Sequence, residues 1–117
     1  MRTNKLSAVF LSATVAASVA SFVATFARAQ DAAATYSQSC AACHGDKGKG
    51  DGAAGKYLKP PPPDFAVSLK GKSDDWIATA ISRGGPAVGE SATMPGFKQL
   101  SADQVKALVD YIKKIGS

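Results

Sequence analysis

The sequence of 117 residues contains few of the residues that usually cross-link a small protein or bind a metal ion: two Cys, one His and two Met. Two cysteines can form at most one disulfide, which excludes a disulfide-rich scaffold. The length supports one small domain and not two. Basic residues outnumber acidic ones by 14 to 9, and the net charge of +5 would suit a nucleic acid or an acidic membrane as a partner.

Charged residues are also absent from residues 6–26, a stretch that follows two basic residues near the N-terminus. Residues 27–29 read Ala-Arg-Ala and place small side chains at both positions of a signal-peptidase site. This pattern predicts a secretory signal peptide, residues 1–29, that is cleaved before Gln30. A membrane anchor is the alternative, because 21 uncharged residues can span a bilayer. The Ser and Thr residues of the stretch, and its reliance on Ala, favour cleavage.

Cleavage would leave residues 30–117 as the working domain, exported to the periplasm and without stable membrane insertion. Three basic residues and no acidic ones would be removed, so the net charge falls from +5 to +2. The domain has about 19 sizeable apolar side chains, together with all 11 Gly and all 6 Pro. So small a core usually needs a cross-link, a metal or a cofactor to be stable.

The sequence contains helix-start and helix-end patterns and no convincing strand, which predicts an all-α domain. Asp31 is a candidate cap for a helix that runs to about Cys43. Ser73 is the expected cap of a second helix that ends at Gly84, and Ser101 with Gln104 predicts a capping box for the last helix. Long Gly- and Pro-rich loops, residues 45–64 and 86–100, separate these helices, and four consecutive prolines exclude a helix or a central strand there.

The chemistry is concentrated in Cys40-Ala41-Ala42-Cys43-His44. The spacing C-x-x-C-H is the attachment pattern of a covalent haem c. On one helical turn the two sulfurs point to the same side and can form thioethers with the two vinyl groups of one porphyrin. His44 then lies beneath the macrocycle, where a ring nitrogen can bind the iron. One covalent haem is therefore predicted.

Three other interpretations of the two cysteines are less well supported. A thioredoxin-like redox pair needs a βαβ context that the sequence does not show. A zinc site needs four ligands, and no second Cys/His pair exists to complete it. A structural disulfide in an exported protein is the third interpretation.

The second axial ligand of the iron is predicted to be Met94. Within residues 30–117 Met94 is the only methionine and His44 the only histidine, so two histidine ligands from one chain are excluded. Met94 lies in the loop before the last helix, and Pro95 biases it toward an extended backbone. The alternatives are a Met94 that only fills the core, a Lys ligand, or an open sixth position.

Four segments around these residues follow a known pattern. An aromatic residue lies four positions before the first Cys, and a Gly-rich run follows His44. A Met-Pro-Gly-Phe loop precedes the last helix, which contains Leu-x-x-Tyr-Ile. The segments are Tyr36, Cys43 to Gly52, Met94 to Phe97, and Leu108 with Tyr111 and Ile112. With them, nearly all of residues 30–117 resembles the class I c-type cytochromes, namely the small mono-haem bacterial kind related to cbb3-type oxidase subunits.

The resemblance implies a class I cytochrome c fold, in which three or more short helices and long loops wrap around one covalent haem. It implies that the first and last helices cross with their aromatic residues packed in the crossing. It also implies that a proline carbonyl accepts the Nδ1 proton of His44, for which Pro63 is the best match and Pro62 the second. Ala32 stands where the family often has Gly, and Trp76 is not the tryptophan that binds a haem propionate in many members.

The expected function is one-electron transfer and not enzymatic catalysis, because His and Met ligation favours electron transfer over oxygen chemistry. The expected partners are redox proteins, a reductase or dehydrogenase as donor and an oxidase or other acceptor, and the chain is expected to be a monomer. Alternatives are a cytochrome subunit of a periplasmic dehydrogenase, or an open-site haem protein with peroxidase-like or gas-binding activity. Nucleic acid is not an expected partner, and the lysines at 47, 49, 56 and 59 are interpreted as a solvated loop.

Overall fold

The computed structural model describes residue 28 and residues 31–117. Apart from Arg28, the predicted signal peptide lies outside the described residues, so cleavage before Gln30 stays a prediction. Within the described part of the chain, no helix has the length and hydrophobicity needed to cross a bilayer.

The described residues form five α-helices and two 3-10 turns and contain no strand. This confirms the all-α prediction. The helices are α1 (residues 31–39), α2 (Ala41–His44), α3 (Phe65–Ser68), α4 (Asp74–Arg83) and α5 (Ala102–Ile115). The 3-10 turns are Gly55–Tyr57 and Gly85–Val88.

The helices α4 and α5 begin at the predicted caps. The Ser73 hydroxyl accepts a hydrogen bond from the amide of Trp76 at 3.1 Å and so begins α4. At the start of α5 the Ser101 hydroxyl accepts from the Gln104 amide at 3.2 Å, and the Gln104 side chain accepts from the Ser101 amide at 2.9 Å. Each bond satisfies an amide that the helix itself cannot pair.

Three local features differ from the prediction. Asp31 is itself helical and is not a cap, and the predicted helix through Cys43 is interrupted by a turn at Cys40. The short helix α3 was not predicted from the sequence, although the Asp64 carboxylate caps it by accepting from the amide of Ala66 at 2.9 Å. A helix of four residues is too short to show the apolar periodicity by which a longer helix is recognised in a sequence.

The core is small and joins α1, α3, α4 and α5. Tyr36 and Leu108 are its most buried large side chains. The rings of Tyr36 and Tyr111 lie 5.3 Å apart at 51°, which is the aromatic packing that the resemblance implied between the first and last helices. The other buried apolar residues are Ala32, Cys40, Phe65, Ile77, Ile81, Val105, Val109 and Ile112.

Candidate haem-binding site

The turn between α1 and α2 holds the two cysteines and the histidine together. The amide of Cys40 donates to the carbonyl of Tyr36 at 2.8 Å, which keeps the turn attached to the end of α1. The Cys40 carbonyl then accepts from the amides of Cys43 at 3.1 Å and His44 at 2.9 Å. These bonds place the two thiols one helical turn apart, with His44 at the end of that turn.

Cys40 and Cys43 are not joined in a disulfide. Cys40 is buried and Cys43 is half-buried. Burial, with a smaller contribution from the neighbouring Cys43, raises the pKa of the Cys40 thiol to about 11. Before haem is attached, the Cys40 thiol is therefore protonated at neutral pH.

His44 carries an unsatisfied polar atom at this site. Its Nδ1 is buried and has no hydrogen-bond partner among the described residues. Burial lowers the pKa of the imidazole, so the ring is neutral at neutral pH. A neutral imidazole is the form that binds a metal, and a buried ring nitrogen without a partner is uncommon. The two thiols and this ring fit the requirements of a covalent haem.

Phe65 packs directly on the ring of His44. The two ring centroids are 4.8 Å apart and the planes are inclined by 29°. The amide of Phe65 donates to the carbonyl of Gly48 at 2.8 Å, which fixes the start of α3 against the loop that follows His44. Sequence reasoning did not identify Phe65 as a site residue. Its only signal was its position directly after Asp64 and the proline run.

Pro63, the predicted acceptor for the Nδ1 proton of His44, belongs to a run that passes near this loop, but Nδ1 makes no hydrogen bond to it. The amide of Gly50 donates to the His44 carbonyl at 2.8 Å. A side chain on Gly50 would clash with the carbonyl oxygen of Pro62, so the backbone of the proline run passes close to the loop. Since Nδ1 has no partner, the bond from His44 to Pro63 remains a prediction for the haem-bound protein.

Tyr36 connects the core to the residue that follows His44. Its hydroxyl donates a buried hydrogen bond to the carbonyl of Gly45 at 2.7 Å. Burial raises the pKa of the Tyr36 phenol above its ordinary value, with smaller contributions from Cys40 and other nearby groups. The phenol is therefore a neutral donor over the whole physiological range.

Met94 belongs to a separate segment, the loop between α4 and α5, and its side chain is half-buried. Its carbonyl accepts from the amide of Gly85 at 3.0 Å, and its amide donates to the carbonyl of Ser91 at 3.2 Å. The structure thus groups Cys40, Cys43 and His44 through local bonds, whereas Met94 is positioned by the end of α4.

The remaining candidates behave as surface and packing residues. Trp76 is half-buried and packs against the core, with the Lys72 ammonium 4.3 Å from its ring centroid. The lysines of the loops around the site are all exposed, as expected for a solvated segment: Lys47, Lys49, Lys56 and Lys59.

Comparison with known proteins adds one match. The profile of the family described as Cytochrome C oxidase, cbb3-type, subunit III matches residues 27–112, which is more than half of the chain. The matched range contains the two cysteines, His44, the proline run and Met94. No curated protein gives a match.

Proposed function

The chain belongs to the cbb3-type cytochrome c oxidase subunit III family and is a class I c-type cytochrome, and we propose that it works as a one-electron carrier with a single covalent haem. A domain of this kind binds haem and transfers electrons. In the proposal Cys40 and Cys43 would hold the haem through thioethers, and His44 and Met94 would bind its iron.

The observation that carries the proposal is the state of His44. A neutral imidazole with a buried, unpartnered Nδ1 ends the helical turn on which both thiols lie. When one ring nitrogen binds a metal, the other is normally a donor to a carbonyl or carboxylate. Pro63, in the run that passes the loop after His44, is the proposed acceptor. The unpartnered Nδ1 is therefore the atom that would donate to Pro63 once the other ring nitrogen binds the haem iron.

The protein's contribution to electron transfer is to keep the ligands in place and to exclude other reactions. Bound haem supplies a one-electron couple of the iron. Phe65 holds one face of the His44 ring at 4.8 Å and shields it from solvent. A Met94 ligand would close the sixth position, which leaves no site for a substrate and favours electron transfer over peroxidase-like or gas-binding activity.

The proposed setting is the periplasm, where the carrier exchanges electrons with redox proteins as a monomer. The support is the signal-peptide pattern of residues 1–29. The lower net charge of the cleaved chain, +2, gives no reason to expect a nucleic-acid partner. The alternative of a subunit in a periplasmic dehydrogenase predicts a stable larger complex, so gel filtration of native extract separates the two.

Covalent attachment is tested by the mass and the absorption spectrum of the purified protein, oxidised and reduced. We expect the wild-type mass to include one haem that survives denaturation. Cys40→Ser and Cys43→Ser should each lose one thioether, and the double variant should lose covalent haem entirely. Ser39→Ala, an exposed neighbour on α1, is the matched control and should keep it. Retention of covalent haem by the double variant would refute the assignment.

Ligation by Met94 is tested separately with Met94→Ala. Loss of the sulfur ligand should lower the reduction potential, change the spin state of the ferric protein and allow carbon monoxide to bind the ferrous protein. Val67→Ala, which truncates an exposed apolar residue, controls for a general effect of truncation. Unchanged spectra and potential in Met94→Ala would favour an open-site or differently ligated haem protein.

A further inference from the structure

The end of α4 exchanges hydrogen bonds with the segment that contains Met94. In an uninterrupted helix the amide of Gly85 would donate to the carbonyl of Ile81, four residues earlier. Instead the Gly85 amide donates to the Met94 carbonyl at 3.0 Å, and the Ile81 carbonyl accepts from the amide of Phe97 at 2.8 Å. Residues 94–97 therefore pair with the Gly85 amide and the Ile81 carbonyl, which would bond to each other if α4 continued for another turn.

This contact is so close that two of its residues have no room for a side chain. A Cβ atom on Gly85 would clash with the carbonyl oxygen of Ser91 and lie 3.2 Å from the Cβ of Met94. A Cβ atom on Gly96 would lie 2.7 Å from the carbonyl carbon of Arg83. Both positions must therefore be glycine for the segment to lie against α4.

A turn on the other side of Met94 completes its attachment. The Met94 amide donates to the Ser91 carbonyl at 3.2 Å. The Ser91 hydroxyl accepts from the amide of Thr93 at 3.2 Å and lies 2.8 Å from the Thr93 hydroxyl. Both backbone polar groups of Met94 are thus paired, one to the start of the 3-10 turn after α4 and one to Ser91.

We propose that Gly85 is a positioning residue for Met94. Because Gly85 has no side chain, the Met94 segment can lie against it, and this contact would keep the Met94 thioether at the sixth position of the iron. This inference rests on the proposed ligation by Met94. A thioether on a fixed backbone loses little further entropy when it binds, so the closed form is favoured. A shifted Met94 backbone would leave the sixth position open in a larger fraction of molecules.

The test is titration of the ferric, haem-loaded protein with imidazole, which competes with Met94 for the iron. Apparent affinity rises with the fraction of molecules whose sixth position is open, so Gly85→Ala should bind imidazole about tenfold more tightly than wild type. Met94→Ala gives the affinity of a fully open site. Unfolding by denaturant is measured in parallel, because a merely structural role would change stability without changing imidazole affinity.

Gly89→Ala is the matched control. Gly89 follows the same 3-10 turn with φ at +78°, and a Cβ atom there would meet nothing within 4 Å. Alanine at this φ costs stability, but it leaves the segment around Met94 undisturbed. We expect Gly89→Ala to unfold more easily than wild type and to bind imidazole with wild-type affinity.

Two comparisons decide the outcome. If Met94→Ala binds imidazole more tightly and Gly85→Ala does not, the positioning role is refuted and ligation by Met94 stands. If Met94→Ala itself binds as wild type does, the ligation is wrong and the positioning role falls with it.

Should Gly85→Ala not fold with haem, Ser91→Ala replaces it, since it loosens the turn without adding volume. An affinity about threefold above that of Gly89→Ala would then support the proposal, and an equal affinity would refute it.

Discussion

The hydroxyl of Tyr36 donates a hydrogen bond to the carbonyl of Gly45 over 2.7 Å and is buried. The bond connects α1 to the residue that follows His44. Tyr36 is almost completely buried and its ring also packs against Tyr111 of α5. One side chain thus connects the first and last helices to Gly45, the residue that directly follows the iron-binding imidazole of the proposed site.

Removal of this hydroxyl tests the connection. In Tyr36→Phe the ring contacts remain but the Gly45 carbonyl loses its donor, so the free energy of unfolding should fall by about 1 kcal/mol. Denaturant unfolding of the haem-loaded protein measures the change. The control is Tyr57→Phe, because the Tyr57 side chain is 77% exposed and its loss of a hydroxyl should be neutral. Equal effects of the two substitutions would contradict the role given to the buried bond.

The same phenol predicts a pH dependence. Burial raises the pKa of Tyr36 in the folded protein above the 10.0 expected for the unfolded chain. Because the folded state holds the proton more tightly, the contribution of Tyr36 to stability is complete below pH 10 and is lost as the pH rises above it. The stability difference between wild type and Tyr36→Phe should therefore stay constant up to about pH 9 and shrink between about pH 10 and about pH 12. A difference that stays constant over this range would show that the phenol titrates normally.

The packing of Phe65 on His44 predicts a large cost of truncation. Phe65→Ala removes a buried ring and leaves a cavity beside the imidazole, so unfolding should become easier by about 3 kcal/mol. Thermal or denaturant unfolding of the haem-loaded protein measures it. Val67→Ala is the control two residues away, since Val67 is 69% exposed and its truncation should cost little. A cost of Phe65→Ala as small as that of the control would show that the stacked arrangement is absent from the haem-bound protein.

Removal of the haem should unfold much of the domain. The described residues bury only ten apolar side chains, a small number for a chain with such long loops. We expect Cys40→Ala/Cys43→Ala, produced without haem, to lose most of its helical circular dichroism and its cooperative thermal transition. His44→Ala should be haem-poor and similarly unfolded. A haem-free variant with wild-type helicity and a sharp transition would show that the polypeptide core suffices.

Sequence reasoning recovered the helices whose signals are local. Ser73 and Ser101 identified the starts of α4 and α5, because a cap depends only on the next three residues. It missed α3, which is four residues long and has no apolar period, and it extended the first helix through the turn at Cys40. Both errors concern short segments, where tertiary contacts decide the backbone and local propensity does not.

The residues of the candidate site also fall into those found from the sequence and those found only in the structure. The sequence alone determined the haem motif of Cys40, Cys43 and His44, and it singled out Met94 by composition, because these choices depend on residue type and spacing along one turn. Only the tertiary structure decided that Phe65 covers the imidazole and that Gly85 adjoins Met94. Those pairs are separated along the chain and meet because a small core brings loops within hydrogen-bond distance, which no local pattern encodes.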